Sequence, residues 1–266
     1  MTTTPLHDIV DSERHPLTDE AYRAECRDTL AHTGALVLHE FLKPEAVAAI
    51  RREGEDNEHL AFYSTQTHNV YLAPPDCGYA DDHPRNRAIV SSKGCITDDI
   101  VATDSPLRVL YDAPMFREFL CPVLDVASLH AYADPLSSIN LNYAKPGQEL
   151  GWHFDNSSFS ITLMIEPPER GGAFEYIAAV RDADRGETRF EAVARVLDGE
   201  VEPQVLRMDA GALVLFRGRN AIHRVAPVEG TRTRMLVVLA YNAEPGVALS
   251  ESARMTFFGR LDGATH

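Results

Sequence analysis

The nonapeptide Gly151-Trp152-His153-Phe154-Asp155-Asn156-Ser157-Ser158-Phe159 carries a histidine and an aspartate two residues apart in a run of strand character. In an extended chain alternate side chains share a face, so His153 and Asp155 are expected to point the same way as two ligands of one metal ion. A third ligand lies far downstream. His223 sits in a second apolar strand pattern, from Phe216 to Val228, that can bring its imidazole beside the first two. Two histidines and one carboxylate on one face of an ion, with three positions left open, form a donor set suited to Fe(II). His-x-Asp alone recurs by chance, and a strand histidine is more often an ordinary polar residue, so the weight of the assignment rests on its surroundings.

A chain of 266 residues can bury one sizeable core, and one domain over 1–266 is expected. Its formal net charge of −15, from 25 Lys and Arg against 40 Asp and Glu, leaves no basic stripe to neutralise phosphates, so no nucleic-acid partner is expected. The N-terminus, Met1 to Asp8, lacks a basic and an apolar leader segment, and no stretch reaches the length of a membrane span. A cytoplasmic protein without a membrane partner follows as the expectation. The four cysteines, Cys26, Cys77, Cys95 and Cys121, show no Cys-x-x-Cys spacing and are read as free thiols. The oligomeric state is open, and a homodimer is compatible with the sequence.

Residues 18–32 place Tyr22, Cys26 and Leu30 at fourfold spacing, which predicts an amphipathic helix ended by Gly34. A short strand, Ala35 to Leu38, and a second helix from Lys43 to Glu53 with Pro44 in its first turn follow. From Phe62 to Gly94, prolines and glycines among polar and aromatic residues predict an irregular segment, either a cover over a pocket or a plain surface loop. Tyr63, His68, Tyr71, Tyr79, Arg85 and Arg87 are its candidate pocket residues. After a helical pattern from Pro114 to Leu124, strand signals recur at 129–132, 138–143, 149–154, 159–166, 173–177, 201–208, 212–216, 221–225 and 233–241, with one helix at 190–197. Many short strands behind a helical segment predict a mainly β architecture with α-helices: a jelly roll over 126–260, buttressed by a helical scaffold and lid over 1–125.

The ordered set Asn142–Asp155, Gly171–Tyr176, Gly211–Phe216 and His223–Arg234 resembles the Fe(II)/2-oxoglutarate-dependent dioxygenases. Within them, His153–Phe159 and the tail Leu239–Gly246 look most like the BesD-type amino-acid halogenases and their hydroxylase relatives, over roughly residues 81–260. The resemblance implies a double-stranded β-helix, iron held by His153, Asp155 and His223, 2-oxoglutarate as cosubstrate and O2 as oxidant. The far carboxylate of that cosubstrate needs a buried cation, and arginine offers a two-pronged match. Arg232 and Arg234, nine and eleven residues after His223, are the candidates. Arg234 is favoured because it lies deeper in the strand pattern. Asn142, polar in an apolar strand, is a weaker candidate for a cosubstrate hydrogen bond, and Tyr143 is one residue out of step for that role.

In the halogenases of that group the carboxylate position is a small residue such as glycine, which leaves a place for chloride on the metal. Here Asp155 occupies it, so the resemblance implies hydroxylation of an unactivated C–H bond. The implied substrate is a small molecule, a free amino acid, with cationic ones such as lysine or ornithine leading. His68, Arg87, Asp134 and Asn156 are candidate substrate residues, while Glu149, Glu175 and Arg85 add charge. Leu150, three before His153, stands where a polar substrate contact is expected, which weakens the case for lysine. Trp152 should face away from the metal. The alternatives are a radical halogenase or desaturase on the same scaffold, or a non-catalytic jelly-roll binding protein. The last has no need of an arginine after His223.

Overall fold

The computed structural model describes residues 5–263, so Met1–Thr4, half of the segment read for a leader, lie outside the described residues. The chain opens with α1 (Glu20–Thr33), β1 (Ala35–Leu38) and α2 (Pro44–Asn57), followed by β2 (Phe62–His68), β3 (Ile89–Ile96), α3 (Pro106–Asp112) and α4 (Pro114–Leu124). The strand-rich part comprises β4 (Ile139–Ala144), β5 (Leu150–His153), β6 (Ser160–Glu166), β7 (Arg170–Gly171), β8 (Phe174–Ile177), α5 (Phe190–Leu197), β9 (Gln204–Leu206), β10 (Leu213–Phe216), β11 (Ile222–Val225), β12 (Val228–Glu229) and β13 (Arg234–Leu239). A last helix, α6 (Glu251–Phe258), follows. The first helix is capped by the Asp19 carboxylate, which accepts from the Tyr22 N–H, and Gly34 closes it in a left-handed conformation at φ 76°. None of the described helices is long and apolar enough to cross a membrane.

Eleven strands form one antiparallel sheet in the order β1-β10-β6-β13-β4-β3-β5-β11-β8-β9, with β2 paired to β3. Its seam is β3. The C-terminal half of that strand pairs with β4, as Cys95 with Asn142, while Ser91 pairs with Leu150 of β5. The sheet thereby curls into two facing halves, the double-stranded β-helix that the resemblance implies. Side-chain alternation then divides the larger half cleanly. Leu141, Tyr143, Leu163, Leu215, Val237 and Leu239 face the helices and pack with Leu30, Ile50, Phe116 and Phe119. Their neighbours Asn142, Ala144, Thr162, Val214, Arg234, Leu236 and Val238 face the interior of the curl. Each fully buried Leu or Phe on the helix side contributes about 1.5–3 kcal/mol, so the scaffold holds the sheet from behind and leaves its concave face to line a cavity.

Four expectations need correction. Phe62–Gly94 is irregular only between β2 and β3, because Phe62 to His68 pair residue by residue with Cys95 to Ile89. The alternation that marks a half-buried strand is missing from β2, since its faces meet solvent and the mouth of a cleft. The strand expected at 129–132 is reduced to a single bridge between His130 and Asn242. The strand expected at 149–154 ends at His153, so Asp155 lies beyond it: the Phe154 N–H donates to the Val70 carbonyl and the Asp155 N–H to that of Gly218. Finally, α3 and α6 were not anticipated; Ser105 and Ser250 cap them, and α6 buries only Phe258.

Candidate active site

Strands β5 and β11 pair with His153 directly opposite His223, which sets the two imidazole centroids 4.2 Å apart. Asp155 completes the group. Its Oδ1 lies 3.5 Å from His223 Nε2 and 3.9 Å from His153 Nε2, and one ligand atom from each residue falls within 4.8 Å of the others. Each ring donates its Nδ1–H to a backbone carbonyl two residues earlier, His153 to Gly151 at 2.8 Å and His223 to Ala221 at 3.0 Å. A carbonyl can only accept, so the proton is held on Nδ1 and both Nε2 lone pairs converge on one point.

The electrostatics agree with that tautomer. Burial, and then the neighbouring His223, push the His153 pKa down to about 3 against the opposing pull of Asp155, so its ring stays neutral. Burial pushes the Asp155 carboxyl up, but contacts with His223, His153 and Arg181 more than offset it, and the net direction is down. Asp155 Oδ2 is buried with no hydrogen-bond partner among the described residues. Two imidazoles oriented by backbone carbonyls, beside a carboxylate with an orphaned buried oxygen, are incomplete without a cation, and the donor set fits Fe(II). The turn before β11 leaves room for the carboxylate only because it carries Gly218, where an added Cβ would lie 2.0 Å from Asp155 Oδ2.

Behind the triad, the curl encloses a cavity of about 280 Å³. Arg234 projects into it from β13, 5% exposed, without a counter-ion among the described residues; burial alone pushes its pKa down to about 10, and its Nε has no partner. A buried unpaired guanidinium is strongly unfavourable, so this chamber demands an anion. Asn142 lines the same chamber. Arg232 does not reach it. It precedes β13, is half exposed and pairs with Glu166 at 3.2 Å, which corrects its placement among the cosubstrate candidates. Tyr143 turns the other way and donates to the Gly54 carbonyl at 2.7 Å.

On the opposite side of the triad an open cleft of about 850 Å³ is bordered by β2, the 69–88 segment and α6. His68 and Asn156 line it as expected. His68 Nδ1 donates to the Asn69 carbonyl, its Nε2 accepts from Ser91 Oγ–H at 2.7 Å, and Ser91 Oγ accepts from the Gly151 N–H of β5. Two other candidates are displaced. Arg87 is drawn to the surface by its ion pair with Asp198. Asp134 is a buried turn-former whose carboxylate accepts from Ser137, Leu136 and Leu249. Arg85 binds the Pro74 carbonyl, Tyr71 stacks on Phe154, and Tyr79 packs on His83 and Phe190, so none of these lines the cleft. Glu175 is held by Arg224, and Trp152 faces away from the metal ligands beneath that same guanidinium. Sequence reasoning missed Lys93. It lines both chambers, and its Nζ donates to Asn142 Oδ1 at 2.6 Å. Its position on a seam strand was the available signal, and the unread β2–β3 pairing hid it.

Comparison with known proteins places this geometry. A PKHD-type hydroxylase of Synechococcus elongatus is 32% identical over 100 residues, 37% of this chain and 40% of the relative, and one from a second Synechococcus strain matches equally. The match thus spans about 40% of the length of these curated relatives. Among solved structures, an oxidoreductase of the 2OG-Fe(II) oxygenase family from Burkholderia pseudomallei superposes with a TM-score of 0.54 at 14% identity, covering 86% of this chain and 94% of that one. The carbocyclase SnoK of nogalamycin biosynthesis gives 0.55 at 15% identity over 91% and 93%. A Pseudomonas putida prolyl-4-hydroxylase gives 0.50 at 14% over 81% and 96%. These likenesses show the fold. The family model described as Halogenase D matches residues 18–256, from the start of α1 into α6, a longer span than the resemblance in the sequence covered, and the chain therefore belongs to the Halogenase D family.

Proposed function

We propose that the protein is an Fe(II)- and 2-oxoglutarate-dependent hydroxylase of a small polar molecule, a free amino acid or a compound of that size, on the hydroxylase side of the BesD-type group. One observation carries this: the oriented triad and the buried, unpaired Arg234 open onto one cavity, a metal-binding end and an anion-binding end. The chemistry supplied by bound Fe(II) is the oxidative decarboxylation of 2-oxoglutarate by O2, giving succinate and CO2 and adding one oxygen atom to a C–H bond of the substrate. His153, Asp155 and His223 would hold the ion, with the Gly151 and Ala221 carbonyls fixing both rings. Arg234 would clamp the far carboxylate of the cosubstrate. The cleft on the other side of His153 and Asp155 would place the target carbon, with β2 and the 69–88 segment limiting access of water.

Hydroxylation rather than halogenation follows from Asp155. Its carboxylate fills the position that the halogenases of the group leave to chloride, and Gly218 gives it the space to do so. The test is incubation with Fe(II), 2-oxoglutarate and a panel of free amino acids and related acids under air. Fe(II)-dependent succinate formation, stimulated by one panel member that gains a single oxygen, is the expected result. A protein that binds a metal yet never yields succinate would contradict it.

A further inference from the structure

The cleft above the triad carries scattered polar groups on a largely apolar wall and almost no charge. Ser64, Thr67, Asn156, Ser252 and Thr256 contribute hydroxyl and amide groups. Among the described residues its only carboxylate is Asp155, already given to the metal in the oxygenase reading, and its only lysine or arginine is Lys93. Lys93 stands on the seam strand at the wall shared by cleft and inner cavity. The Asn142 side chain that receives its Nζ is neutral, so it orients the ammonium without compensating it. Glu149 borders the inner cavity but forms no ion pair with Lys93 and does not reach the cleft.

Building on the oxygenase reading, the charges of a divalent ion, Asp155, Arg234 and the 2-oxoglutarate dianion cancel. Of the groups that face the cleft, which Glu149 does not, the ammonium of Lys93 is left over, at the wall it shares with the metal site. A cation bound there would meet a like charge and no acidic partner, whereas a carboxylate would gain a charge-assisted hydrogen bond. We propose that the substrate is a compact carboxylic acid with no cationic side chain, and that Lys93 receives its carboxylate and sets specificity. Lysine and ornithine, the leading substrates by resemblance, are thereby disfavoured.

The test uses the full chain with Fe(II), 2-oxoglutarate and O2, and reads succinate. The probes are neutral amino acids and small hydroxy acids, each matched with its primary amide, together with lysine and ornithine. At least one acid should stimulate succinate formation, with a KM at least about tenfold below that of its amide, and the cationic amino acids should not. The acid-to-amide KM ratio cancels any change in folding or basal turnover. It should collapse towards one in Lys93→Gln and persist in Lys93→Arg. Stimulation by lysine or ornithine equal to that by the acids, no acid above the turnover seen with cosubstrate alone, or an unchanged ratio in Lys93→Gln would each overturn the proposal. Absence of succinate under every condition would instead overturn the oxygenase reading beneath it.

Discussion

Removing one imidazole from the triad leaves two protein ligands, and the opposing carbonyl-fixed ring cannot replace it. His153→Ala and His223→Ala should therefore lose Fe(II) on gel filtration, measured as metal content per chain, while circular dichroism stays that of the parent. The two arginines separate in the same way. Arg234→Ala removes the buried guanidinium proposed to clamp the cosubstrate carboxylate, at a cost of about 2–5 kcal/mol, so the 2-oxoglutarate KM should rise by roughly 30-fold or more. Arg232→Ala breaks only a half-exposed pair with Glu166 and should change that KM by less than about fivefold. Equal effects would move the anion site. The triad was legible in the sequence because His-x-Asp stood among strand patterns and an ordered set of motifs, not because of its spacing alone. The choice between the arginines depended on where β13 begins, which puts Arg234 in step with Leu236 and Val238 inside the curl. Lys93 was illegible because a lysine in a polar run reads as solvated unless both partners of its strand are known.

The candidate metal ligands are held by elements that approach one another closely. At Gly151 an added Cβ would lie 2.4 Å from the Val90 carbonyl and 2.3 Å from Ile89 Cγ2, where β5 crosses β3. Backbone cannot give way as a side-chain tip can. Gly151→Ala should cost about 1–3 kcal/mol, read as a Tm lower by several degrees, and should weaken iron binding through His153 two residues on. Gly218→Ala presses on the carboxylate instead of on a strand. It should reduce Fe(II) affinity by roughly 10- to 100-fold with little change in Tm, and a Tm loss without an affinity loss would contradict this account of the turn. Most strands of the curl were foreseen from alternation, since one face meets the helices and the other the cavity. The exceptions follow physically. The faces of β2 meet solvent and cleft, so it has no apolar stripe, and α6 buries a single phenylalanine, too little to set a helical period.

At the scale of the molecule, the curled sheet does not determine the reaction. Structures with this fold include proteins described as a prolyl-4-hydroxylase and a carbocyclase, so outcome rests on what each chain places around the metal. In this chain the group on which the proposed outcome rests is Asp155, a carboxylate in the candidate ligand set of a Halogenase D family member. Helical scaffold, seam strand and curl together hold that carboxylate between two fixed imidazoles and leave the Arg234 chamber behind it. The most direct test is the mass of the product formed by the unmodified protein with Fe(II), 2-oxoglutarate, its stimulating substrate and excess chloride. The account predicts a product heavier by one oxygen atom with no chlorine isotope pattern; a chlorinated product would show that Asp155 does not keep halide from the metal.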